Sequence, residues 1–242
     1  MARRFFVDKD NISGNSVTIT GSEHLHLTKV LRAKPKDKID VSTLDFCYMC
    51  EIETITKNKT ICKILQKEKI ENSAPNITLF QASMKGEHME YIIQKATEVG
   101  IKTFVPFLSQ FVVAKIDSKK TDRFQKISQE ACKQSGRKTP MEILDVITFS
   151  KLLELLKDYD KIIFAYENSK VPAKEVLSEL EAGERIALVV GCEGGFSETE
   201  AKTLAKAGAK EISLGENILR GETAGLVLSS IVLFELNQFK KI

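Results

Sequence analysis

Between Leu188 and Leu233 the chain carries two glycine-punctuated loops, each suited to holding a ligand through backbone atoms. The first, Gly191-Cys192-Glu193-Gly194-Gly195-Phe196, follows Ile186 to Val190, a β-branched apolar run of the kind a strand buried on both faces requires. The second, Leu214 to Thr223, sets Glu216, Arg220, Glu222 and Thr223 among apolar Ile218 and Leu219. An ordinary βαβ unit also explains this stretch, because turns favour glycine for their own sake. Glu193 inside the glycine cluster and the mixed chemistry of the second loop are more than a plain connector needs. The spacing fits neither G-x-G-x-x-G nor G-x-x-x-x-G-K-[ST], so a dinucleotide or triphosphate site has no support.

The elements that must position these loops are legible around them. Ser197 with Glu200 forms a capping box and predicts a helix through Leu204 that Gly208 closes. A strand is expected at Ile212 to Leu214. Thr223 is expected to cap a final helix, whose apolar run from Ala224 to Leu236 implies burial nearly all round. Upstream, composition shifts near residues 70 to 76, which divides the chain into domains 1–72 and 73–242. The front part holds short β-like runs at Phe5 to Val7, Val17 to Thr20, Ile39 to Val41, Phe46 to Ile55 and Thr60 to Leu65, suggesting a small barrel or curled sheet. The rear part alternates strands (Ile77 to Phe80, Thr103 to Pro106, Ile162 to Ala165) with helices. One of these helices places Met89, Ile92, Ile93, Ala96 and Val99 on one face, and others are expected at Asp122 to Gln134 and Lys151 to Leu156. That alternation favours an α/β fold with a parallel sheet.

Net charge is +3 over 242 residues, and the excess lies in residues 1 to 72, with 13 Lys and Arg against 10 Asp and Glu. Lys29, Arg32, Lys34, Lys36 and Lys38 crowd one turn, and eight basic residues lie between Lys115 and Lys138. Such runs suit either a solvated face or phosphate contacts that position RNA without reading it. Five scattered cysteines make no disulfide framework. Cys47-x-x-Cys50 invites a metal reading, but it lies in a strand-like run with no second pair, so no metal is expected. His24 and His26 share a segment with Leu25 and Leu27 and read as packing residues. No apolar run reaches the roughly 18 residues of a membrane helix, and MARRFFVDKD lacks the features of a leader, so a cytoplasmic protein with no membrane partner is expected.

Taken together, GCEGGFSETE and LGENILRGETA resemble the C-terminal motifs of the ribosomal RNA small subunit methyltransferase E family of SPOUT methyltransferases. The likeness spans essentially the whole chain. It also takes in His24-Leu25-His26 with Val30-Leu31-Arg32, then Gln94-Lys95-Ala96-Thr97-Glu98, and Gln134-Ser135-Gly136-Arg137. It implies a SPOUT-type parallel sheet with a C-terminal trefoil knot behind a small PUA-like β-barrel, a homodimer, and S-adenosylmethionine as cofactor. The implied reaction is methylation of N3 of one uridine in the decoding region of bacterial small-subunit rRNA, free or in an assembled subunit. A SPOUT enzyme acting on another RNA and a catalytically silent RNA-binding assembly factor are the alternatives.

By the same resemblance the cofactor lies among three loops. The first contributes Ala165, Tyr166 and Glu167, and the second Val190, Gly191, Cys192, Glu193 and Gly194. The third contributes Leu214, Gly215, Ile218, Leu219, Arg220, Thr223 and Ala224. Arg220 is the expected cation for the uracil anion, and Glu222 the expected partner that orients Arg220 or takes a proton, unless it serves only the helix dipole. Glu193 is expected to brace the glycine loop by accepting backbone hydrogen bonds. Arg32, Lys34, Lys36, Lys38, Gln134 and Arg137 are the expected RNA contacts. Three positions depart from the family pattern: Cys192 stands for a usual proline, Gln110-Phe111 for a glutamate-arginine pair, and Asn217 for an arginine.

Overall fold

The computed structural model of the protein describes residues 4–43, 45–70, 75–112 and 118–239. The chain divides into two compact units, one of the described residues up to 70 with Cys132–Thr139, the other of residues 75 to Ala131 with those from Pro140 onward. The boundary expected between residues 72 and 73 lies outside the described residues, as do Lys115 and Asp117 of the second basic run.

In chain order the front unit contains β1 (Arg4–Phe6), β2 (Ile12–Ser13), β3 (Ser16–Thr20), α1 (Gly21–Leu25), β4 (Lys38–Ser42), β5 (Phe46–Ile55) and β6 (Lys59–Lys69). These strands form one sheet in the order β1-β4-β5-β6-β3-β2, antiparallel except where β1 meets β4. Val17, Ile19, Ile39, Val41, Tyr48, Cys50 and Ile52 alternate inward and close a core with Leu27. Strand β6 runs on to Lys69, past the expected Leu65, because β5 is ten residues long and pairs with it from Phe46↔Lys69 to Ile55↔Thr60. Cys50 faces this core, whereas Cys47 lies outside it and accepts from Ser42 Oγ. Burial pushes the Cys50 and Cys62 thiols up to about 12. His24 is buried between Thr60 Oγ1 and the Lys57 carbonyl, a packing histidine.

The rear unit continues with β7 (Ile77–Ala82), α2 (His88–Val99), β8 (Thr103–Leu108), α3 (Ser118–Ser135), β9 (Glu142–Ile143), β10 (Ile147–Thr148), α4 (Phe149–Leu156) and β11 (Lys161–Ala165). It ends with α5 (Ala173–Leu177), β12 (Ile186–Val190), α6 (Glu198–Lys206), β13 (Lys210–Ile212) and α7 (Gly221–Glu235). Its sheet is parallel throughout, in the order β10-β8-β7-β12-β11-β13 with β9 also on β8. Every residue of β7 and β12 is buried, which is why neither shows the polar alternation of a half-exposed strand. Strand β12 lies between β7 and β11, two strands that precede it in the chain. The crevice at the carboxyl ends of such neighbours is where open parallel sheets bind ligands.

Three expectations about the last segment change. Strand β13 stops at Ile212, because its pairing with β11 ends at Ala165↔Ile212, and Leu214 is left in the loop. Helix α7 begins at Gly221 with Arg220 at the cap position and no side-chain cap, so Thr223 lies inside the first turn. Burial of α7 is one-sided: Gly225, Leu228, Ser229, Val232 and Leu233 are buried, while Leu226, Val227 and Ile231 are half-buried and Phe234 is exposed. The capping box at Ser197 and Glu200 is present, with Gly208 at φ +91° just past the helix.

Candidate active site

The carboxyl ends of β11, β12 and β13 open into a cavity of about 250 Å³, close to the lower end of the ~300–1,000 Å³ that small-molecule sites occupy. Thirteen of the expected cofactor contacts line it: Ala165, Tyr166 and Glu167 from the first loop, Val190 to Gly194 from the second, and Leu214, Gly215, Ile218, Leu219 and Ala224 from the third. Arg220 and Thr223 do not. Glu216, Asn217 and Gly221 of the third loop also line it, as do Gly195, Phe196 and Ser213, which lie outside the three loops the family likeness implies. Three carboxylates, those of Glu167, Glu193 and Glu216, face this space, and among the described residues no lysine, arginine or histidine lines it. Such a lining favours a ligand that carries positive charge and disfavours phosphate.

The loops approach too closely for ordinary side chains. Gly195 holds φ +67°, closes a turn by donating its N–H to the Cys192 carbonyl at 3.0 Å, and has the Glu167 carboxylate where a Cβ would stand. At Gly221 a Cβ would meet Met84 Sδ at 2.8 Å and the Gly191 carbonyl at 3.0 Å, so the second and third loops touch only because that position is bare. Gln81 Nε2 donates to the same Gly191 carbonyl at 2.8 Å. Cys192 is buried and accepts from Ser109 Oγ, so the turn is fixed by its neighbours although proline is absent. Phe111, half of the departure at Gln110-Phe111, packs directly on Gly194. Its proximity depends on how the chain returns after β8, for which the local sequence holds no signal.

Glu193 braces the site from outside its own loop: its Oε1 accepts the Lys85 N–H at 2.9 Å. The expectation of a backbone-accepting carboxylate is met, but the donor belongs to the β7–α2 connection rather than to the glycine loop. Arg220 is exposed between the lining residues Leu219 and Gly221. Glu222 does not orient it. Glu222 is 7% exposed, its Oε1 stands 2.9 Å from His88 Nδ1, and Oε2 has no partner among the described residues. The reason is geometric: α7 packs along α2, which turns Glu222 toward the first residue of α2 and away from solvent, while Arg220 precedes the helix on its open side.

The expected RNA contacts differ among themselves. Arg32, Lys34, Lys36 and Lys38 are all exposed. Arg32 at φ +50° and Lys36 at φ +76° occupy the left-handed region, and Lys36 follows Pro35 as the third residue of a turn where glycine is usual. The turn is held by the Asp37 carboxylate, which accepts the Lys34 N–H at 2.8 Å. Gln134 is exposed near the end of α3, and Gly136 at φ +77° ends that helix. Arg137 is half-buried, burial lowers its pKa from the ordinary arginine value, and its carbonyl accepts from Arg4 Nη1 at 2.8 Å. In the second basic run Lys133 pairs with Glu23 and Lys138 with Glu68, so those two cations serve intramolecular contacts, while Arg123 meets Glu90 through Nη2.

Comparison with known proteins follows this geometry closely. The RNA methyltransferase domain family matches residues 71–233, and the RNA methyltransferase PUA domain family matches residues 19–65. The chain is 34% identical to the ribosomal RNA small subunit methyltransferase E of Bacillus subtilis (strain 168), covering 96% of each chain. It is 32% identical to the protein of the same name from Aquifex aeolicus (strain VF5), covering 91% of this chain and 95% of that one. The crystal structure of the ribosomal RNA small subunit methyltransferase E from Neisseria gonorrhoeae, bound to S-adenosyl methionine, superposes with a TM-score of 0.88 at 27% identity over 99% of this chain and 100% of that one.

Proposed function

The chain belongs to the ribosomal RNA small subunit methyltransferase E family, and from that premise we propose that it methylates N3 of a uridine in the decoding region of bacterial small-subunit rRNA, with S-adenosylmethionine as donor. The observation that carries this reading is the cavity at the ends of β11, β12 and β13, lined by backbone and three carboxylates with no cation among the described residues. The residues fit the donor. Its adenine suits Leu214, Leu219 and Ala224, and its sulfonium and ammonium charges suit Glu167, Glu193 and Glu216. Bound there, the donor supplies an electrophilic methyl group whose transfer breaks the carbon–sulfur bond.

The protein's own task is to present the uracil. Positioning of two reactants can supply roughly 7 to 11 kcal/mol of the barrier. N3 must lose its proton to solvent before its lone pair can form the new bond to carbon, and the negative charge left on the ring spreads to the flanking carbonyl oxygens. Arg220, exposed between two lining residues, stabilises that charge. Glu222, paired to His88, holds the first turn of α7 and thereby the backbone that carries Arg220. The PUA-like front unit supplies RNA affinity through Arg32, Lys34, Lys36 and Lys38, aided by Gln134 and Arg137. This assignment also carries the trefoil knot and a cytoplasmic place of action. Among the described residues no helix is long and apolar enough to cross a membrane.

A second copy of the chain covers the open side of α7. Leu226, Val227, Ile231 and Phe234 recur at helical spacing, and Phe234 is 70% exposed, an apolar stripe of the kind that self-association buries. Phe234→Lys should convert a dimer into a monomer in sedimentation equilibrium.

The test of the reaction is primer extension on small-subunit rRNA incubated with protein and donor. A methyl on N3 occupies the pairing edge, so reverse transcription should stop at one uridine only when both are present. Absence of a stop, together with no donor binding by calorimetry, would remove the assignment.

A further inference from the structure

We propose that a second cavity, formed by the β7–α2 connection and α3, seats one nucleotide of the single-stranded RNA substrate. The inference rests on the RNA methyltransferase reading above. This cavity, of about 180 Å³, is lined by Met84, Lys85, Gly86, Met89, Glu90, Lys120, Arg123 and Phe124. Its floor is apolar, since Met84, Met89 and Phe124 are all buried, and among the described residues Lys85, Lys120, Arg123 and Glu90 stand at its rim.

The electrostatics oppose those of the donor cavity. Phosphate is disfavoured beside Glu167, Glu193 and Glu216 but is met by cations beside Lys85 and Arg123. Arg123 uses Nη2 on Glu90, at 2.8 Å, which leaves its Nε and Nη1 donors for an anion. An apolar floor with cations at its rim suits a base splayed out of a single strand, with its phosphate held at the rim. At about 180 Å³ the cavity is smaller than the donor cavity of about 250 Å³, in keeping with a ligand no larger than one nucleotide.

The two cavities share structure. The Lys85 N–H bonds Glu193 of the donor cavity, and Met84, on the floor of the second, presses against Gly221, which lines the first. A nucleotide seated here therefore stands next to the loop that carries Arg220, where the strand must pass to reach the methyl group.

Two measurements test this. Wild-type protein is irradiated with single-stranded RNA containing 4-thiouridine, and the cross-linked peptides are mapped by mass spectrometry. Adducts within 84–90 or 120–124 support the seat, and adducts confined to other segments overturn it. In parallel, RNA affinity is followed against salt for the doubly substituted Lys85→Ala, Arg123→Ala protein. The salt slope should fall by about 0.7 per phosphate left without its cation, about 1.4 for both, while donor affinity by calorimetry stays within about twofold of wild type. An unchanged slope with normal donor binding refutes the seat alone. Wild-type protein that binds neither RNA nor donor refutes the methyltransferase reading, and the seat with it.

Discussion

On the proposed assignment, the donor cavity and the basic turn of the front unit recognise their ligands by opposite means. Around the cavity, recognition is built from backbone: Gly195 and Gly221 stand where a single carbon would collide with a carboxylate, a sulfur or a carbonyl. At the basic turn, recognition is built from long side chains on a backbone pushed into the left-handed region at Arg32 and Lys36. The first arrangement tolerates almost no added volume, and the second tolerates volume but depends on charge. A small cationic ligand needs a shaped, electronegative container, whereas a polyanionic strand needs only cations at suitable spacing.

The sharpest way to break the comparison is Arg220→Ala, which tests whether the cation beside the cavity is catalytic. Turnover is expected to fall about 10²- to 10³-fold in single-turnover assays, with donor affinity changed only a few fold. Unchanged turnover would reduce Arg220 to a cap-position residue. Next in size is His88→Ala, which leaves both oxygens of a buried carboxylate unpaired. A stability loss of roughly 1 to 3 kcal/mol is expected in urea titration, with a matching drop in turnover and restoration of both in His88→Lys.

The front turn is probed by the triple change Lys34→Ala, Lys36→Ala, Lys38→Ala. RNA affinity should weaken, and its salt slope should flatten by up to about 0.7 for each phosphate that no longer meets a cation on single strands. Donor affinity should not move. If the slope is unaltered, these lysines belong to solvent and the contrast between the two regions collapses. The smallest effect is expected from Lys36→Gly, which relieves a left-handed backbone costing about 1 to 2 kcal/mol. Thermal unfolding should show a gain no larger than that, since glycine also loosens the unfolded chain. A gain in stability with a loss of RNA affinity would show that the turn holds Lys36 for its charge.

Much of the site is legible in the sequence because its signals are local. Strand β12, the capping box of α6 and the glycine loops each declare themselves within a short stretch of chain. The first loop, at Ala165 to Glu167, carries no such signal, and only likeness to a family points to it. Lys133 and Lys138 read as part of a solvated face or as phosphate contacts because a sequence does not show that Glu23 and Glu68 lie beside them. For the same reason Glu222 reads as the partner of its near neighbour Arg220, when its partner is His88, far earlier in the chain. The final helix reads as buried throughout because apolar composition cannot separate a face covered by the same chain from a face left open.

The amino-acid sequence by itself determined where the main strands and helices form, though not all their ends, which strands must be covered on both sides, and where the backbone must be bare, since each is settled by periodicity, capping and steric allowance over a few residues. Only the tertiary structure decided which carboxylates share a cavity, which cations are already neutralised and which histidine holds Glu222. Those outcomes follow from the order of strands in the sheet, and placing β12 between β7 and β11 brings together residues that no local interaction links.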